Sequence, residues 1–99
     1  MLLMSLMTAA LLAVQPAPAP AGASATLVQP REIRLNLDGR NWACGPDGAC
    51  VGRGGGAAQP LMRECRRFVA RTGAVSGFSR GGLALTQAEI AQCNTAVAA

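Results

Sequence analysis

Histidine, lysine and tyrosine are absent from this chain of 99 residues, and its aromatic side chains are two Phe and one Trp. Without histidine the commonest general acid–base group is missing, and without lysine there is no amine nucleophile. The acids are Glu32, Asp38, Asp47, Glu64 and Glu89. Asp47 belongs to a turn, Glu64 can pair with Arg67 at i+3 on a helix, and Glu89 suits a helix cap. Glu32 and Asp38 have no evident structural task, and nothing in the sequence brings them together. No complete acid–base or nucleophile set can be assembled, so the expectation is a non-enzymatic protein with no cofactor and no metal. Scarce aromatics also argue against single-stranded nucleic acid, whose bases need stacking partners.

A long apolar run is missing too. Residues 2–14, LLMSLMTAALLAV, are apolar but fall short of the roughly 20 residues that span a bilayer. Pro16, Pro18 and Pro20 follow, then Ala23-Ser24-Ala25, a small-x-small site. That order reads as a secretory signal peptide over residues 1–25, cleaved after Ala25, with a cut after Ala21 as the alternative. The mature domain would be residues 26–99, periplasmic or secreted. No basic residue precedes the apolar run, a departure from the usual pattern that a start upstream of Met1 would repair. An uncleaved N-terminal membrane anchor is the other reading.

What remains is small, basic and rich in turn residues. Nine arginines against five acids give a net charge of +4, which favours anionic partners. In residues 31–37, REIRLNL, Ile33, Leu35 and Leu37 alternate with Arg34 and Asn36 as in a half-buried strand. Asp38-Gly39 reads as a bulge, with the strand continuing to Trp42, rather than as a turn. Gly45-Pro46-Asp47-Gly48 has tight-turn chemistry and brings Cys44 near Cys50. Residues 52–59, GRGGGAAQ, form a flexible connector; no Lys-Ser/Thr follows, which excludes a phosphate loop. Pro60 opens a helix over 61–72. Leu61, Met62, Cys65, Phe68, Val69 and Thr72 share one face, and Arg63, Arg66, Arg67 and Arg71 lie opposite. Residues 74–85 read as a hairpin turning at Arg80-Gly81-Gly82. Thr86 and Glu89 form a capping box for a second helix that aligns Ile90, Cys93 and Val97.

The expected class is α+β: a small disulfide-stapled domain with a short antiparallel sheet of two hairpins and two helices packed on one face. Four cysteines permit three pairings. Cys44 and Cys50 share a turn, while Cys65 and Cys93 lie on facing helical stripes, so the pairs expected are Cys44–Cys50 and Cys65–Cys93. A C-x5-C spacing without histidine does not suit zinc, and Cys44 lacks the C-x-x-C at a helix start of a thioredoxin-like device.

Trp42, Cys44 and Cys50, followed by Pro60 and Cys65, then Gly73, Val75 and Phe78, then Gly82, Leu85, Ile90, Cys93 and Asn94, make a pattern spanning about residues 41–95. In it the chain resembles a family of small, exported, uncharacterised alphaproteobacterial proteins. The resemblance implies an envelope location and the four-cysteine frame, and it implies no activity. Ala58-Gln59 departs from the Ser/Thr-Arg common there. The function expected is a binding or interaction module whose Arg63, Arg66, Arg67 and Arg71 face meets an anionic envelope component, lipid or glycan, or another envelope protein. The rival is a redox-active or redox-sensing envelope protein using Cys44–Cys50.

Overall fold

The computed structural model describes residues 22–55 and 59–98. Its elements are β1 (Ala23–Leu27), β2 (Ile33–Leu37), β3 (Arg40–Cys44), β4 (Ala49–Arg53), α1 (Leu61–Thr72), β5 (Val75–Arg80), β6 (Leu83–Ala84) and α2 (Gln87–Asn94). The strands form one antiparallel sheet in the order β2-β3-β4-β1-β5-β6. Fold class and helices agree with the expectation, but the sheet is larger than two hairpins. The strand added is β1, which sits between β4 and β5 and joins the two halves of the sheet. The boundary drawn after Ala25 falls inside it.

Asp38-Gly39 is a turn and not a bulge. Leu37 pairs with Arg40, and Asp38 and Gly39 have φ of 54° and 80°. Two consecutive positive φ values make the two-residue hairpin turn whose twist matches the flanking strands, and Asp-Gly is a favoured pair for it. Gly81 and Gly82, at φ 58° and 89°, turn β5 into β6 in the same way.

One face of the sheet carries Ala23, Ala25, Leu27, Leu37, Trp42, Cys44, Cys50, Val75 and Phe78, all buried. Both helices lie on that face. The helix α1 buries Cys65, Phe68, Val69 and Thr72, and α2 buries Ile90 and Cys93. Val97 lies beyond the end of α2 and is exposed, so the apolar series of that helix stops at Cys93. Trp42, Phe68 and Phe78 form one aromatic cluster, with centroids 4.3 Å apart for Trp42–Phe68 and 5.8 Å for Trp42–Phe78. Gly52 stands opposite Trp42, and a Cβ there would lie 2.7 Å from the indole ring. The absent side chain is what lets the indole lie across β4.

The capping box of α2 is present. Thr86 Oγ1 accepts from the Glu89 N–H at 3.2 Å, and Glu89 Oε1 accepts from the Thr86 N–H at 2.8 Å. At the other end of α2 the Asn94 amide clamps β5: Oδ1 accepts from the Val75 N–H and Nδ2 donates to the Val75 carbonyl, each at 2.9 Å.

Candidate anion-binding surface

The helix α1 begins after Pro60, whose carbonyl accepts from the Glu64 N–H, and it ends at Gly73, which has φ 111°. Its apolar face meets the sheet and α2, so Arg63, Arg66, Arg67 and Arg71 point to solvent, and all four are exposed. Their partners divide them. Arg66 donates from one guanidinium nitrogen to the Gln92 carbonyl and to Thr95 Oγ1, both at 2.9 Å. It thereby neutralises the C-terminal end of α2, where unpaired carbonyls carry partial negative charge. Arg67 forms a two-pronged pair with Asp38: Nε to Oδ2 at 2.7 Å and Nη2 to Oδ1 at 2.9 Å. Gln59 donates to Asp38 Oδ2 at 3.3 Å. The Arg67 hydrogen bond, helped by Gln59 and by the charges of Arg67 and Arg63, holds the Asp38 carboxyl below its ordinary range. Among the described residues Arg63 and Arg71 make no hydrogen bond or ion pair.

Glu64 does not pair with Arg67. It turns inward and is buried, with Oε2 accepting from Arg40 Nε at 2.6 Å and Oε1 from Arg80 Nη1 at 2.8 Å. Arg40 is itself fully buried and also donates to the Gly54 carbonyl at 2.8 Å. This inner Arg–Glu–Arg group ties α1 to β3 and β5. Glu32 and Asp38 stand at opposite ends of β2, about 20 Å apart at 3.3 Å per residue. The carboxylate pair that catalysis would need is therefore not formed by these two.

Both expected disulfides are present, Cys44–Cys50 and Cys65–Cys93, and no cysteine is free. Cys44 and Cys50 face each other across β3 and β4, with Cα atoms 4.0 Å apart. The Gly45 N–H bonds the Ala49 carbonyl next to them. The cysteines therefore take the adjacent, non-hydrogen-bonded position, where strands approach most closely. Their side chains point to the helix-covered face, with Cys44 6% and Cys50 1% exposed. Two such bridges in one small domain indicate an oxidising, extracellular-type environment. No helix among the described residues is long and apolar enough to cross a membrane.

Sequence reasoning missed a second basic surface. The sheet face away from the helices carries the row Arg34–Ala43–Val51–Ser24–Ser79–Ala84, one residue from each strand. Arg34 and Arg53 flank Ala43 and Val51 there, line one shallow groove with Asn41, and have no ion pair among the described residues. The period of β2 already placed Arg34 on the outer face; only the pairing of β2, β3 and β4 brings Arg53 alongside.

The chain belongs to a family described as a family of unknown function, DUF8200, which matches residues 6–95. No curated protein and no solved structure matches it.

Proposed function

With membership of that family as the premise, we propose that this protein is an exported, non-catalytic binding module of the cell envelope. In this reading the N-terminal apolar segment is a leader, the four-cysteine frame is the common scaffold of small alphaproteobacterial envelope proteins, and the basic side of α1 meets phosphate-bearing lipid head groups. The observation that carries it is the solvent-facing stripe Arg63–Arg67–Arg71, faced by one acid, Asp38, which engages Arg67 and leaves Arg63 and Arg71 available. Arginine suits phosphate because its planar fork donates two parallel hydrogen bonds. Arg66 and Arg67 serve the fold as well as the surface, so charge reversal belongs at Arg63 and Arg71.

The test is co-sedimentation with vesicles of phosphatidylglycerol and of phosphatidylcholine. The oxidised protein should bind the anionic vesicles, and Arg63→Glu with Arg71→Glu should weaken that binding at least tenfold while the urea midpoint stays within the scatter of surface substitutions. Unchanged binding by the double variant discards the helix face. A second reading places the anion on the open sheet face, because Arg34 and Arg53 are both exposed and bracket Val51. Loss of binding in Arg34→Glu with Arg53→Glu, but not in the helix variant, would select it.

A further inference from the structure

The strand β1 begins at Ala23, yet the leader boundary expected from the sequence lies after Ala25. Ala23 and Ala25 are buried at 4% and 5% exposure. Both sides of the strand are paired. Ala23 stands between Gly52 and Arg80, Ser24 between Val51 and Ser79, and Ala25 between Cys50 and Phe78. A chain starting at Thr26 lacks all three. Its β4 and β5 would each lose the neighbour that completes their ladders, leaving unpaired backbone groups in the middle of the sheet. Among the described strands only β1 links β2-β3-β4 to β5-β6, so the sheet would part there. Gly22 also belongs to the folded body. A Cβ on it would come 2.7 Å from the Gly52 carbonyl oxygen, so the chain packs against β4 already at this residue.

Four overlapping Ala-x-Ala triplets precede Thr26. Cleavage after Ala25 removes most of β1, and cleavage after Ala23 removes its first residue. Cleavage after Ala19 would hydrolyse a bond to Pro20, a tertiary amide with no N–H. The remaining triplet is Ala19-Pro20-Ala21. We infer that the leader is removed by hydrolysis of the Ala21–Gly22 bond, with Ala19 and Ala21 as the small residues read by a leader peptidase. Water adds its hydroxyl to the Ala21 carbonyl carbon, and the Gly22 nitrogen leaves as the new amino terminus. This inference rests on the export reading and fixes where the mature domain starts.

The experiment is expression of the full-length chain in a bacterium that exports proteins, followed by N-terminal sequencing and intact mass of the disulfide-bonded product recovered outside the cytoplasm. The expected amino terminus is Gly22. A folded, exported product beginning at Ser24 or Thr26 overturns the site while leaving export intact. An uncleaved chain, held in the membrane or left in the cytoplasm, overturns the site and the leader reading together. Ala21→Leu puts a bulky residue before the scissile bond and should abolish the product that begins at Gly22. Continued release of that product from the variant overturns the assignment.

Discussion

Among single residues, Glu64 joins three elements of the fold through one buried carboxylate. Its carboxylate is the common acceptor for Arg40, which is fully buried, and for Arg80. Removing one member of a buried ionic group costs about 3–5 kcal/mol, because it leaves a buried charge uncompensated. Glu64→Ala should therefore lower the unfolding free energy by about that amount, read as a fall in the urea midpoint at unchanged slope. A loss near zero would mean that water or another acceptor reaches Arg40. Reading the helix alone pairs Glu64 with Arg67, since neighbours at i+3 are the only partners a single helix offers. Yet Glu64 lies about 40° from Phe68 around the helix, at the border of the buried stripe. A charge at that border goes inward only if a cation waits below. That cation comes from β3, across the Asp38-Gly39 turn, which local sequence also allows as a bulge.

Among the elements, the β2–β3 hairpin is joined to α1 through its own turn. Asp38 takes φ 54° and, from that turn, reaches Arg67. Asn accepts the same backbone conformation, so Asp38→Asn removes the charge without disturbing the turn. Because the folded-state pKa of Asp38 lies below its ordinary value, the ion pair stabilises the fold above the unfolded-state pKa of about 3.9 and is lost as pH falls through the lower, folded-state value. Denaturant midpoints taken from pH 6 to pH 2 should show the wild type above D38N at neutral pH and the two converging below about pH 4. A constant gap across that range would remove the pair from the stability of the protein.

The same scale shows which elements can be read locally. The helix α1 announces itself through Pro60, a complete apolar stripe and Gly73, and α2 through its capping box. The disulfides follow from the turn and from the two stripes. What could not be read is β1. Its five residues, ASATL, alternate as a strand should, but small residues after an apolar run and three prolines satisfy the leader pattern equally well. A strand placed between two others far along the chain is defined by its partners, which local sequence does not reveal.

For the molecule as a whole, the positions that carry the family resemblance all land in the frame. Trp42 and Phe78 build the aromatic cluster, the four cysteines close two bridges, and Asn94 clamps β5. Of these positions Trp42 also lines the groove between Arg34 and Arg53, and the arginines of the proposed binding surfaces, Arg63 and Arg71 on one side and Arg34 and Arg53 on the other, all lie outside that pattern. The frame also bears on the choice between staple and redox device. Cys44–Cys50 is buried on the sheet face that the helices cover, next to Ala25 of β1, and Cys65–Cys93 joins α1 to α2 with both residues fully buried. Thiol–disulfide exchange needs a thiolate to reach a sulfur atom, and here that requires the helices to lift from the sheet. Reduction of both bonds should therefore be controlled by the same opening. With excess dithiothreitol and a thiol-alkylation readout, the two bridges should resist together in buffer and yield together as urea rises toward the unfolding transition. Selective opening of Cys44–Cys50 under native conditions, with Cys65–Cys93 intact, would sink the staple reading. It would make the Gly45–Gly48 turn a site of chemistry.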